Sequence, residues 1–123
     1  MTYIQEPTVD EYFFLCAGVD FVDGFICFGR TPLAEGVFDV YWIAVRPGAR
    51  KKGVAKALLE EAEKIMRSEG ARMVICETSS GGSYHEARCF YTRSGFKHVA
   101  TVPDFYSPGD HKMIYAKSLS GED

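Results

Sequence analysis

The sequence predicts a mixed α+β domain: a largely antiparallel sheet with one parallel pair and two main helices, in the order ββ-β-α-β-α-ββ. Three observations predict it. Short runs rich in aromatic and β-branched residues recur along the chain, the longest being Val37–Val45. Residues 54–68 carry Ala55, Leu58, Leu59, Ala62, Ile65 and Met66 at spacings of three, four and seven, which is one face of a helix. That helix separates two apolar strands, so the two should run parallel as a βαβ unit.

The elements follow in order. Residues 1–10 show no clear pattern, and residues 11–17 read as an aromatic-rich strand. A turn near Gly18-Val19-Asp20 would lead to a strand over 21–29, with Gly24 then a bulge. Asp23-Gly24 offers a competing hairpin turn. Residues 31–36 form a loop before the strand Val37–Val45, which Arg46-Pro47-Gly48 stops. The helix over 54–68 ends at Gly70, a glycine suited to the left-handed residue past a helix end. Residues 72–77 form a buried strand, and Ser79-Ser80-Gly81-Gly82-Ser83 a flexible loop. Ser83 and Glu86 fit a capping box, so a second helix starts near Tyr84 and ends at Ser94-Gly95. Residues 96–102 and 112–119 read as the last strands, with residues 103–111 as the loop between them.

The chain of 123 residues fits one domain, and 46% hydrophobic residues can fill its core. A formal charge of −3 argues against nucleic acid as the main partner and leaves room for a cationic one. Cys16, Cys27, Cys76 and Cys89 show no C-x-x-C pairing and lie in apolar segments. They read as buried free thiols in a reducing compartment. No signal sequence or apolar run of membrane-spanning length is visible, so a soluble cytoplasmic protein without a membrane partner is expected. His85, His98 and His111 form no metal pattern, and Ser79-Ser80 lacks a nucleophile elbow. Neither a metal nor a covalent enzyme intermediate is expected.

The chemistry concentrates at Arg50-Lys51-Lys52-Gly53-Val54-Ala55, between the apolar strand and the amphipathic helix. A helix start offers free amides and the positive end of the dipole to an anion. Gly48 and Gly53 have the glycine spacing of a Walker A loop, but Val54-Ala55 stands where Lys-Ser/Thr is needed. Gly-x-Gly-x-x-Gly is absent. The remaining Arg-x-x-Gly-x-Ala resembles the acyl-CoA pyrophosphate loop of the GNAT acetyltransferases, Gln/Arg-x-x-Gly-x-Gly/Ala. One strand and one loop later, Ala87-Arg88-Cys89-Phe90-Tyr91-Thr92-Arg93-Ser94-Gly95-Phe96 resembles the GNAT segment Ala-x-x-Phe-Tyr-x-x-x-Gly-Phe. The resemblance covers residues 12–119. Tyr-Trp-Ile-Ala-Val, Glu77-Thr78-Ser79-Ser80 and Pro103-Asp104-Phe105-Tyr106 are similar to a subgroup of small bacterial members.

The resemblance implies a GNAT fold and transfer of acetyl from acetyl-CoA to an amine of a small molecule or peptide. It implies a cofactor held in a V between strands 37–45 and 72–77. Pantetheine would add to the backbone of Ile43, Ala44 and Val45. The pyrophosphate would sit on the amides of residues 51–55, with Arg50, Lys51 and Lys52 beside Gly53, Val54 and Ala55. Ala87 and Phe90 would also border the cofactor. Tyr84 stands where the family often has Asn. Tyr91 would supply a proton to the departing thiolate. Asp39 matches the strand position of the glutamate base in histone-type members, and the alternation of the strand places it on the side of Tyr41 and Ile43. Glu77 could share the role through a water. Asp104, Tyr106, Asp110 and His111 crowd one loop and could recognise a cationic acceptor.

A full GNAT domain begins with a strand and two helices that this chain is expected to lack. Two consequences follow. A non-catalytic CoA-binding or interaction module stands as the alternative to an enzyme. An open edge at Tyr12-Phe13-Phe14-Leu15 predicts a homodimer that meets near this strand.

Overall fold

A computed structural model describes residues 2–7, 12–19 and 21–120, the first of these as backbone. Seven strands form one sheet: β1 (Thr2–Pro7), β2 (Tyr12–Gly18), β3 (Gly24–Arg30), β4 (Val37–Val45), β5 (Met73–Ser79), β6 (Lys97–Ser107) and β7 (Asp110–Ser118). Their order in the sheet is β1-β2-β3-β4-β5-β7-β6, with β4 and β5 parallel and every other pair antiparallel. Helix α1 (Val54–Ser68) links β4 to β5, and α2 (His85–Arg93) follows β5. The mixed α+β class, the single parallel pair, β4 and α1 are as the sequence predicts.

Both helices join one core. Leu58, Leu59, Ala62 and Met66 of α1 are buried among Leu15, Ile26, Phe28, Phe38 and Val40, while Phe90 and Tyr91 of α2 pack beside them. Each fully buried large side chain contributes about 1.5–3 kcal/mol of transfer free energy. Helix α1 stops by hydrogen bonding as well as by pattern. Gly70 takes φ 86°, its N–H donates to Arg67 O, and Ala71 N–H donates to Met66 O. Those two bonds satisfy carbonyls that the helix end would leave open.

Several expectations are corrected. Residues 2–7, which lack a legible pattern, form β1 paired to β2 from Thr2↔Gly18 to Pro7↔Phe13. A strand therefore stands before β2, and only the four residues 8–11, outside those described, separate the two. Because β1 occupies the outer edge of β2, the open edge invoked for a homodimer is not there; the sheet edges are β1 and β6. Asp20 and Glu11 also lie outside the described residues.

Strand β3 starts at Gly24 rather than at residue 21, and Gly24 pairs regularly with Ala17 and Val45. It is a close-approach glycine, since a Cβ there would lie 2.8 Å from Ala44 O and 3.0 Å from Val54 Cγ1. The bulge falls later, where Phe28↔Val40 is followed by Cys27↔Trp42 and Tyr41 becomes the extra residue. Before it Phe38 and Val40 face the core; after it Ile43 and Val45 do. Asp39 therefore lies on the opposite side from Ile43, not the same side.

The capping box does not form. Ser83 is inside a 3-10 turn, Gly82–Tyr84, and Tyr84 is the residue before α2, with no side-chain cap. Most of the loop expected over 103–111 is strand: β6 runs to Ser107, and Ser107 pairs with Asp110 across a turn holding Gly109 at φ 83°. Of the four thiols expected to be buried, Cys27 and Cys76 are buried, while Cys16 and Cys89 are half-buried.

One ion pair ties α1 to β7. Glu63 is buried, and Lys117 Nζ donates to its Oε1 and Oε2 at 3.0 and 2.9 Å, with Arg67 Nη2 3.9 Å away. Lys117→Met would leave the carboxylate with Arg67 as its nearest cation. A lone buried charge costs about 3–5 kcal/mol, and the remaining arginine offsets part of that, so a loss of about 2 kcal/mol is expected. Urea unfolding of wild type and variant at neutral pH measures it; an unchanged midpoint would show that the pair is stabilised no better than its solvated ions.

Candidate functional site

Strands β4 and β5 pair only from Val37↔Met73 to Val40↔Cys76. Beyond that point β4 continues along β3 to Val45, and β5 continues along β7 to Ser79. The two strands therefore diverge, and the inner edge of residues 41–45 faces an opening instead of a neighbour. Unpaired backbone donors and acceptors along such an edge need partners from outside the sheet.

The opening leads into a groove of about 1080 Å³ between α1 and α2, floored by Ile43 and Val45. At one end lies the loop before α1. Lys51 and Gly53 hold left-handed backbone at φ 66° and 77°. The first hydrogen bond of α1 runs from Ala57 N–H to Gly53 O, so Val54, Ala55 and Lys56 have N–H groups without helical acceptors. A Cβ built on Gly53 would meet nothing within 4 Å. This glycine serves the backbone angle and the open space beside it. The geometry fits a diphosphate: free amides, a helix dipole and cations on one rim.

The far wall is α2, with Ala87, Phe90 and Tyr91 facing the groove. Tyr91 packs against Phe90, Phe96 and Tyr115 at ring-centroid distances of 5.7, 5.5 and 6.1 Å. Burial, and secondarily the Cys76 thiol, push its phenol above the ordinary tyrosine value. The proton therefore stays on the hydroxyl throughout the neutral range.

Of the residues singled out from sequence, Ile43, Val45, Arg50, Lys51, Gly53, Val54, Ala55, Ala87, Phe90 and Tyr91 line one groove. Ala44 and Lys52 are exposed beside it, and Tyr84 is exposed outside its lining. Also in the groove are Lys56, Glu60 and Glu63 of α1, His85 and Cys89 of α2, and Lys117. Their signal was periodic: 56, 60 and 63, like 85 and 89, are spaced to share a helix face.

The two candidate carboxylates lie elsewhere, on the sheet face away from the helices. Asp39 Oδ2 accepts a hydrogen bond from Thr31 Oγ1 at 2.8 Å. Burial raises its pKa most; the Thr31 bond opposes this, the nearby Glu77 charge adds to it, and Tyr41 again lowers it. Glu77 Oε1 is paired with Lys112 Nζ at 2.9 Å.

The serine loop after β5 is pinned rather than flexible. Arg88 Nη1 donates to Ser79 O and Gly81 O at 2.7 and 2.8 Å, Gly81 N–H donates to Ser79 Oγ, and that serine hydroxyl bonds Asp110. Of the polar cluster considered for acceptor binding, Asp104 and His111 are likewise engaged within the β6–β7 hairpin. Asp104 Oδ1 accepts from Gly109 N–H at 2.8 Å, and His111 Nδ1 accepts from Asp104 N–H at 2.9 Å. Among the described residues no helix is long and apolar enough to cross a membrane.

Comparison with known proteins agrees with this geometry. The family model described as an acetyltransferase (GNAT) domain matches residues 10–98. A solved structure from Desulfovibrio desulfuricans, assigned to GNAT-family acetyltransferases, is 39% identical over 89% of this chain and 71% of its own, with TM-score 0.87. Two more distant structures share the fold. An aminoglycoside 6'-N-acetyltransferase complexed with coenzyme A is 17% identical over 93% of this chain and 76% of its own, with TM-score 0.79. A Bacillus anthracis structure described as a streptothricin acetyltransferase, in complex with acetyl coenzyme A, is 19% identical over 96% and 66%, with TM-score 0.81. No curated protein sequence matches.

Proposed function

The chain belongs to the GNAT acetyltransferase family, whose cofactor is acetyl-CoA, and on that premise we propose that it acetylates an amine of a small molecule or peptide by direct transfer in a ternary complex. The observation that carries this reading is the opening between β4 and β5, placed beside a helix start with free amides and cations.

When bound, acetyl-CoA supplies an activated thioester. The chain's part is to bind, orient and move protons. Backbone groups of Ile43, Ala44 and Val45 would hold the pantetheine arm as an added strand. The amides of residues 51–55, with Arg50, Lys51 and Lys52, would hold the pyrophosphate. Ala87 and Phe90 would close the other side. The acceptor amine has an ordinary pKa near 10.4 and must lose a proton before or during attack. Asp39 is the better placed acceptor of that proton, directly or through water, because Glu77 is engaged by Lys112. As the new C–N bond forms and the C–S bond breaks, Tyr91 would donate a hydrogen bond to the sulfur.

The experiment is mass spectrometry of an amine panel incubated with protein and acetyl-CoA, alongside calorimetry of acetyl-CoA binding. Acetylated amines with mass increases of one acetyl group, and an affinity in the micromolar range (about −8 kcal/mol), are expected. Binding without any acetylated product would favour a non-catalytic CoA-binding module. The free thiols fit a reducing compartment, which supports a cytoplasmic location.

Glu77→Gln tests the base. Glu77 raises the Asp39 pKa, so its neutralisation should lower that pKa. Release of the Lys112 cation acts in the same direction. The acid limb of kcat/KM should move to lower pH in the variant. A limb that does not move, or moves upward, would remove Asp39 from the proton path.

A further inference from the structure

On the sheet face opposite α1 and α2, Tyr12, Phe14, Cys27, Tyr41 and Trp42 line a hollow of about 270 Å³. Its position follows from the bulge. The hollow lies over β2, β3 and β4, and Tyr41 and Trp42 on its β4 side are the first residues of β4 past its last pair with β5, where the two strands begin to diverge. A regular strand would send these two neighbours to opposite faces. The extra residue instead lets both border one hollow, and Trp42 is 66% exposed there. Tyr12 and Tyr41 meet edge to face, with ring centroids 5.3 Å apart.

The charges at the rim are few. None of the five lining side chains is a carboxylate. Asp39 stands next to Tyr41 on the same face, close enough for the Tyr41 hydroxyl to act on it. Glu77 is nearby, but it is paired with Lys112 at 2.9 Å. Among the described residues the rim thus offers the Asp39 carboxylate, with no cation paired to it, beside aromatic rings. Aromatic faces attract a cation and also bury a flat apolar body. The volume lies just below the range of about 300–1,000 Å³ usual for ligand sites, which suits a small guest.

We propose that this hollow selects the acceptor: a monocationic primary amine carried on a flat apolar body, with the amine toward Asp39 and the body on Tyr41 and Trp42. This rests on the acetyl-transfer reading of the groove. A polycation would leave the rings without apolar contact.

The test compares kcat and KM for 2-phenylethylamine and 1-naphthylmethylamine with those for spermidine and an aminoglycoside, in wild type, Trp42→Ala and Trp42→Phe. The arylalkyl amines should have the higher kcat/KM in wild type. Trp42→Ala should raise their KM about tenfold or more with little change in kcat, and Trp42→Phe should restore most of the loss. Calorimetric affinity for acetyl-CoA should be the same in all three. Preference for the polycations, or an arylalkyl KM that ignores Trp42→Ala, overturns this inference and leaves acetyl transfer standing. Acetyl-CoA binding with no amine acetylated overturns both.

Discussion

Gly53→Glu should weaken acetyl-CoA binding by at least about 100-fold. The residue sits at φ 77° directly before α1, and its missing Cβ leaves open space beside the free amides of residues 54–56. A glutamate would bring a negative charge into the place proposed for a pyrophosphate. At about 4 Å and an effective dielectric near 20 the repulsion is about 4 kcal/mol per pair of charges. Salt and exposure reduce this, and about 3 kcal/mol remains a reasonable figure for a rim position. The substitution has a second effect, because a left-handed angle costs an L-residue about 1–2 kcal/mol. Gly53→Ala carries the same backbone cost without the charge. It should lower the melting temperature as Gly53→Glu does, yet keep acetyl-CoA affinity within about tenfold. Calorimetry on both variants separates the effects; equal affinities for Glu and Ala would place the diphosphate elsewhere.

The parts of this protein that were legible in sequence are those whose determinants are local. Val37–Val45 is a long run of strand-forming residues, and α1 has six apolar residues on one face, so both match to the residue. The loop before α1 and the α2 wall were legible because their motifs lie within ten residues each. Features set by distant partners were not. Thr2–Pro7 has weak alternation and ends in proline; pairing with β2 makes it a strand. The bulge at Tyr41 has no glycine to announce it, and it arises from the register of β4 against β3. That single residue turns Ile43 to the side opposite Asp39 and brings Tyr41 and Trp42 to one hollow. The Ser83–Glu86 pattern failed because Ser83 was taken into a 3-10 turn before α2. Glu63 and Lys117 are 54 residues apart, so their pairing could not be read from either helix or strand.

Tyr91→Phe should lower turnover about 10²-fold while leaving acetyl-CoA affinity and melting temperature nearly unchanged. The ring is held by Phe90, Phe96 and Tyr115, and phenylalanine keeps those contacts. Only the hydroxyl is lost. Burial raises the Tyr91 pKa above that of a free tyrosine, whereas a free thiol lies near 8.5. Full proton transfer from Tyr91 to a thiolate is therefore uphill. The hydroxyl is better suited to stabilising charge on the sulfur by a hydrogen bond that strengthens as the C–S bond breaks. An interaction of that kind lowers kcat and kcat/KM together when it is removed. It also sets a pH signature: because the phenol keeps its proton beyond pH 10, the wild-type rate should not fall there through ionisation of Tyr91. Steady-state kinetics across pH on both proteins checks the two statements. If Tyr91→Phe turns over like wild type, the tyrosine is a packing residue of α2, and the departing sulfur must be stabilised by another group in the groove.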